Sequence, residues 1–98
     1  HGLFHGGVSG AIADNAAGFA AMTLMDKEKE PLTIEFKINF LNIADGEKLV
    51  AEAEILQAGR SIFHGESKVY TIKKKEKLLT ATALVTIKAT SKVSEKIR

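Results

Sequence analysis

Two features near the N-terminus have residue types and spacing that suit chemistry. The first is the motif His5-Gly6-Gly7, which directly precedes an alanine-rich segment of helical character. Backbone N–H groups at the start of a helix lack intrahelical acceptors, and glycine lets a ligand oxygen approach them closely. The motif therefore suits a site that stabilises negative charge on an oxygen, although the same glycines would also allow a tight turn into the helix.

The second feature is a carboxylate, Asp14, on a helix face otherwise made of small residues. At about 100° per residue this face also gathers Gly10, Ala17, Gly18 and Ala21, and we expect another part of the protein to lie close against it. Asp14 is a surface charge, a structural hydrogen-bonding group, or a catalytic base or nucleophile. Roughly 10 Å separate it from the helix N-terminus, so the two features would address opposite ends of a bound acyl group or a site completed by another subunit.

A helix and a sheet must position these groups. The segment 7–26 is rich in alanine and free of proline, which predicts a helix. From Leu32 to Phe40 apolar and polar residues alternate, which predicts a strand with Thr33 on its polar face. Three further strands are predicted over about 49–55, 61–72 and 78–89, separated by turns at Asp45-Gly46, 57–60 and 73–77. The regular spacing of the turns predicts an antiparallel meander.

Length and composition narrow the class of protein. With 98 residues, 45% hydrophobic and 27% charged, we predict one folded domain over 1–98 with a frayed tail at 91–98. A formal charge of +2 argues against nucleic-acid binding. No apolar run approaches the roughly 20 residues that span a bilayer, and cysteine is absent, so we expect a cytoplasmic protein without membrane attachment. Because one helix covers only part of one sheet face, we expect a second subunit to bury more apolar surface.

Three segments together resemble the hotdog-fold acyl-CoA thioesterases of the phenylacetate-pathway type. They are the string HGGVSGAIADNA from His5 to Ala16, the strand LTIEFKINFLNIA and the turn QAGRS, and the resemblance extends over nearly the whole chain. It implies an α+β hotdog fold, in which an antiparallel sheet wraps around a long central helix. It also implies a homodimer or dimer of dimers with active sites at the subunit interface. The family usually has another strand ahead of the HGG motif, so we expect the first strand to be missing from this chain.

The implied activity is hydrolysis of acyl-CoA thioesters, with coenzyme A as part of the substrate and no separate cofactor. By resemblance, Asp14 is the catalytic carboxylate, either a general base on water or a direct nucleophile. Gly6 matches the glycine whose backbone N–H polarises the thioester carbonyl, with Gly7 beside it, and Thr33 matches a hydroxyl residue that helps to position the attacking water. A noncatalytic acyl-CoA binding or sensing module and a hydratase or dehydratase on the same fold remain alternatives.

The histidines have two interpretations. His5 either orients the glycine motif or, with His1 and His64, contributes to a metal site. Without cysteines or a recognised ligand spacing, we expect no metal site.

The basic turns also have two interpretations. Arg60 and Ser61 follow the turn at Gly59 and either contact a coenzyme A phosphate or belong to an ordinary solvated hairpin. The cluster Lys73 to Lys77 is either a charged turn that favours solubility or a further phosphate contact.

Overall fold

The computed structural model describes residues 4–92, which form one helix and four strands. In chain order the elements are α1 (Gly6–Met22), β1 (Lys29–Phe40), β2 (Lys48–Ala58), β3 (Ile62–Lys73) and β4 (Glu76–Ser91). The strands form one antiparallel sheet in the order β1-β4-β3-β2, and α1 packs against it. The predicted α+β hotdog fold is confirmed. Of the predicted frayed tail, Ser91 is the last residue of β4 and 93–98 lie outside the described residues.

The predicted helix over 7–26 is four residues too long at its C-terminus. α1 ends at Met22, where the Thr23 hydroxyl donates to the carbonyl of Ala20 at 2.7 Å. The next backbone N–H, of Leu24, donates to the carbonyl of Ala21 at 2.9 Å. Such i to i+3 bonds tighten the last turn and satisfy the free carbonyls at a helix end. In the part of the chain that the structure describes, no helix is long and apolar enough to cross a bilayer.

The predicted close packing of the small-residue face of α1 is confirmed for Ala17 and Ala21, which Ala13 joins, but not for Gly18, where an added methyl group would meet no heavy atom within 4 Å. Ala13, Ala17 and Ala21 are all 0% exposed. The Ser67 hydroxyl of β3 donates to the carbonyl of Ala13 at 2.7 Å, and a methyl group at Gly65 would lie 3.5 Å from the Cβ of Ala17. Only alanine and glycine allow the helix backbone to approach a strand this closely, so the small side chains are explained by packing.

The meander prediction is correct for β2, β3 and β4 but wrong for β1. Because β1 pairs with β4, the connection 41–47 crosses from one edge of the sheet to the other, past the β3–β4 hairpin. The Glu47 N–H donates to the Ile72 carbonyl at 2.8 Å during this crossing. A methyl group at Gly46 would come within 2.6 Å of the same carbonyl oxygen. Gly46, which was predicted as part of a turn, is therefore required because the backbone of the connection passes close to the backbone of β3 at Ile72.

β1 contains a β-bulge that changes which residues face the helix. Thr33 lies opposite Ile87 and Glu35 lies opposite Thr86, so Ile34 is an extra residue between them. Directly opposed residues share one face of a sheet, and Ile87 belongs to the buried core. Thr33 therefore faces α1, and its predicted position on the polar face of the strand is wrong.

The alternation predicted for β1 is confirmed beyond the bulge. Phe36, Ile38 and Phe40 lie opposite core residues of β4 and face the helix. Leu32, predicted on the same face, instead lies opposite Lys88 on the other face of the sheet and is 55% exposed. One inserted residue reverses the phase of a pattern whose period is two.

Candidate active site

Asp14 lies at the edge of the small face of α1 and is partly buried. The Thr33 hydroxyl donates to its carboxylate oxygen Oδ1 at 2.6 Å. A hydrogen bond to a charged acceptor is shorter and stronger than a neutral one, and this one restricts the orientation of the carboxylate. The bulge at Ile34 makes the contact possible, because it lets Thr33 and Phe36 face the helix together.

A cleft of about 270 Å³ has Asp14 and Thr33 in its wall. The other lining residues come from α1 and the start of β1: Asn15, Gly18, Phe19, Met22 and Pro31. The cleft thus combines an oriented carboxylate with several apolar side chains. A carboxylate in this setting can take a proton from water or attack an electrophilic carbonyl carbon.

The HGG motif forms the N-terminus of α1. His5 is the N-cap, and its Nδ1 accepts a hydrogen bond from the Gly7 N–H at 3.0 Å. The neutral ring therefore carries its proton on Nε2. No hydrogen bond within residues 4–92 uses the Gly6 N–H. Of the two predicted backbone donors, Gly7 is engaged in the helix cap, whereas Gly6 has no acceptor for its N–H among these residues.

A larger cleft of about 870 Å³ adjoins Gly6 at this end of the molecule. It is lined by Phe4, Gly6, Ser9, Phe40, Leu41, Asn42, Ile43, Ala44, Leu78 and Thr80. The Phe40 ring lies over the motif, since a methyl group at Gly6 would be 3.1 Å from its Cζ. Sequence reasoning missed this cleft. The available signal was the run from Phe40 to Ile43, where apolar residues stop alternating at the end of a strand.

Gly6 and Asp14 do not meet within one chain. Eight residues of helix separate them, which is about 12 Å along the axis of α1. The structure therefore positions a backbone donor and a carboxylate on one rigid element without bringing them to a common reacting atom.

Arg60 and Ser61 lie in the turn between β2 and β3. The direction of α1 shows which end of the molecule this turn occupies. Ala13 contacts Ser67, and Ala17, further along the helix, lies close to Gly65. The helix thus runs towards the β2–β3 turn, and its N-terminus points towards the β3–β4 hairpin.

The two basic turns consequently lie at opposite ends of the sheet. Lys73 to Lys77 are at the same end as the HGG motif, whereas Arg60 and Ser61 are at the end where β3 begins. β3 has 12 residues, which corresponds to about 36 Å. The structure does not bring Arg60 or Ser61 close to Gly6 in the same chain.

Two lysines of the hairpin are engaged in ion pairs. Lys73 Nζ lies 2.7 Å from the Asp45 carboxylate, and Lys77 Nζ lies 2.8 Å from that of Glu52. The hydrogen bond with Glu52 raises the pKa of Lys77 above its ordinary value of 10.5. Lys77 also lies 4.2 Å from the centre of the Tyr70 ring.

The other two lysines form the tip of the hairpin. Lys74 and Lys75 have φ angles of 50° and 70°, in the left-handed region that favours glycine. Neither forms an ion pair with a residue that the structure describes. Their positive charges lie at the end of the molecule where the HGG motif lies.

The histidines are far from a common site. His64 lies on the sheet face away from α1, opposite Gln57 and Thr86, whereas His5 caps the helix. His1 lies outside the described residues. Over 4–92, no group of three or more histidine, aspartate or glutamate side chains is arranged to hold a metal ion.

Known proteins are similar to this chain in fold or in sequence. A thioesterase family protein from Silicibacter pomeroyi is 36% identical, with a TM-score of 0.89 over 91% of this chain and 65% of its own. A Bacillus halodurans protein, whose crystal structure was determined with CoA, has a TM-score of 0.84 over 90% of this chain and 60% of its own. At 24% identity it supports the fold alone.

A curated protein of Saccharolobus solfataricus, provisionally named an esterase, is 36% identical over 61 residues, which are 62% of this chain and 40% of that protein. The chain thus spans between 40% and 65% of the length of these three relatives. The family model of the thioesterase superfamily matches residues 1–77, most of the described fold together with the HGG motif and Asp14. The chain belongs to the thioesterase superfamily.

Proposed function

We propose that this protein hydrolyses acyl-CoA thioesters and is of the phenylacetate-pathway type. The observation that carries the proposal is the Asp14 carboxylate, oriented by Thr33 in the wall of a partly apolar cleft. Membership of the thioesterase superfamily supports a thioester as the substrate. The crystal structure of the Bacillus halodurans protein, which shares this fold, was determined with CoA, and we extend that ligand to this chain as the thiol part of the proposed substrate.

In the general-base mechanism, Asp14 takes a proton from water as the water oxygen bonds to the thioester carbonyl carbon. The carbonyl electrons move to oxygen, where the N–H of Gly6 of the partner subunit, at the N-terminus of its helix, stabilises the negative charge. The intermediate then re-forms the carbonyl and breaks the carbon–sulfur bond. Asp14 returns the proton to the departing sulfur, so that the products are a carboxylic acid and free coenzyme A.

Asp14 can also act as the nucleophile. Its carboxylate oxygen then bonds to the carbonyl carbon, coenzyme A leaves, and water hydrolyses the resulting anhydride. A single turnover in ¹⁸O-water can identify the nucleophilic mechanism. Water attack at the Asp14 carbonyl of the anhydride labels the protein, whereas the general-base mechanism, like water attack at the acyl carbonyl of the anhydride, labels only the product acid.

The working unit in this proposal is a homodimer, with dimer-of-dimers assembly as a further expectation. β1 is an edge strand, paired only with β4 among the described strands. Its Phe36 and Phe40 are exposed by 41% and 57%, and Phe19 of α1 by 65%. Large apolar groups beside an open strand edge favour pairing with another chain.

A dimer also accounts for the distance between the two functional groups. Asp14 and Gly6 are separated by about 12 Å on one helix, too far to act on one carbonyl group. We propose that Asp14 acts together with Gly6 of the partner subunit, so each dimer has two composite sites.

The rival functions make different demands on the site. A noncatalytic binding module would not require a carboxylate held by a neighbouring hydroxyl. A hydratase or dehydratase would use a histidine with the carboxylate, but His5 Nδ1 is engaged in the helix cap and His64 lies on the other sheet face. The oriented carboxylate therefore favours hydrolysis.

Release of free thiol from a panel of acyl-CoA thioesters tests the proposal. Asp14→Asn should lower turnover by about two orders of magnitude or more, the scale expected for loss of a catalytic base. The matched control is Asp26→Asn, an exposed carboxylate beyond the end of α1, which should keep parental turnover. Circular dichroism should show that both variants are folded.

The negative outcomes separate the alternatives. Binding of acyl-CoA without thiol release would identify a binding module, and release of water from a hydroxyacyl thioester would identify a dehydratase. Parental turnover in Asp14→Asn would remove Asp14 from the mechanism even if the protein is a thioesterase.

A further inference from the structure

The fold does not require the glycine at position 18. Gly18 lies inside α1 in an ordinary helical conformation, and a methyl group added there would meet no heavy atom within 4 Å. Glycine is among the least favourable residues in a helix interior. Gly18 thus differs from Gly46, where a backbone oxygen occupies the space of a side chain.

Gly18 nevertheless occupies a distinctive place, one helical turn beyond Asp14. Four residues correspond to about 6 Å along the helix, and both residues line the same cleft. The next residues along this wall are Phe19 and Met22, which are 65% and 44% exposed. The missing side chain at position 18 leaves a gap between the carboxylate and exposed apolar groups.

We propose that Gly18 sets the size of the acyl group accepted beside Asp14, an inference that rests on the proposed thioester hydrolysis. The acyl substituent is bonded to the carbonyl carbon that Asp14 must approach. Its first atoms must therefore lie in the cleft, next to Asp14. Because Gly18 has no side chain, a compact apolar group can lie over the helix backbone and contact Phe19, Met22 and Pro31.

The dimensions of the cleft agree with such an occupant. Its volume is about 270 Å³. An apolar protein cavity of about 150 Å³ already accepts a benzene molecule. The cleft therefore has room for a ring or a short alkyl chain, and a larger side chain at position 18 would remove part of that room.

The test compares Gly18→Ala and Gly18→Leu with Ala11→Leu. Ala11 lies seven residues earlier on the same side of α1 and is exposed, but it does not line the cleft. For each protein, kcat/KM is measured with acetyl-, hexanoyl- and benzoyl-CoA. Gly18→Leu should lower hexanoyl and benzoyl turnover about tenfold or more relative to acetyl turnover, since pocket volume discriminates by roughly this factor.

Two controls accompany this comparison. Ala11→Leu should leave the ratios between substrates unchanged. Gly18→Ala should raise Tm by about 4 to 8 °C, because it improves helix propensity without a clash. It should also change the ratios between substrates in the same direction as Gly18→Leu, but by a smaller factor.

Unchanged substrate ratios in Gly18→Leu would overturn the inference. Equal loss for all three thioesters, or conversion of a dimer to a monomer in light scattering, would overturn it too, because Gly18 would then serve a subunit contact. If the unsubstituted protein releases no thiol, calorimetry is used to measure its affinity for S-methyl- and S-hexyl-CoA, which tests the inference without hydrolysis. If Gly18→Leu weakens the binding of S-hexyl-CoA but not that of S-methyl-CoA, the inference is supported. If the substitution leaves the ratio of the two affinities unchanged, the inference is refuted.

Discussion

The bond between Thr33 and Asp14 gives a sharp prediction for Thr33→Val. Valine keeps the branched shape of threonine but removes the hydroxyl that donates to Asp14 at 2.6 Å. Hydrogen bonds to charged groups contribute about 1.5 to 3 kcal/mol, which corresponds to roughly 10- to 150-fold in rate. Because Asp14 is only partly buried, water replaces some of this interaction. We therefore expect a decrease in kcat near the lower limit of this range, about 10- to 30-fold.

The effect should appear mainly in kcat. Thr33 contacts the carboxylate that performs the chemistry, so its loss misorients Asp14 while leaving most substrate contacts in place. Thiol release measured over a range of acyl-CoA concentrations gives kcat and KM separately. Urea unfolding shows whether the variant remains folded under the assay conditions.

Two further variants make this prediction specific. Thr33→Ser retains a hydroxyl and should recover most of the lost kcat. Thr90→Val makes the same change at a strand threonine that donates to the neutral carbonyl of Glu30 at 3.3 Å, and it should keep parental kcat. Parental kcat in Thr33→Val, or failure of Thr33→Ser to recover activity, would refute a positioning role for this hydrogen bond.

Three other predictions concern assembly, the crossing connection and the basic turns. Light scattering should detect at least a dimer, and we expect its interface to exceed about 1,000 Å². An active monomer would contradict this. Gly46→Ala should destabilise the protein by about 1 to 3 kcal/mol in urea unfolding, whereas Gly18→Ala should not, because only the first methyl group meets a backbone atom. If the HGG end holds the coenzyme A phosphates, Lys74→Ala with Lys75→Ala should raise KM with little change in kcat, and Arg60→Ala should not; the reverse result would assign the phosphates to the β2–β3 turn.

Local patterns in the sequence determined most of the secondary structure. Alanine and glycine at helical spacing identified α1 and its close approach to another element, since side-chain size along one face limits how near a helix can pack. Alternation placed Leu49, Ala51, Ala53 and Ile55 of β2 on one face, and all four pack against the core. These properties depend on neighbours within a few residues, so periodicity is sufficient to predict them.

The candidate site could be predicted only in part. Asp14 and the motif with Gly6 were identified from residue type and position, Thr33 was identified by resemblance, and the roles of all three stay predictions. The resemblance assigned the backbone donor to Gly6, but the sequence did not indicate that the Gly7 N–H bonds to His5, because that depends on the orientation of the His5 ring. Nor did it indicate that Arg60 and the lysine hairpin lie at opposite ends of the sheet, since this depends on how α1 lies across β3.

Tertiary structure decided the contact between Thr33 and Asp14. Thr33 and Ile34 are both β-branched and suit a strand equally well, so local preference does not indicate which residue is the extra one in the bulge. The register is set by pairing of β1 with β4, about 50 residues later in the chain, and by packing of Ile38 against the core. Because the period of a strand is two, that distant pairing alone determines whether Thr33 faces solvent or the carboxylate.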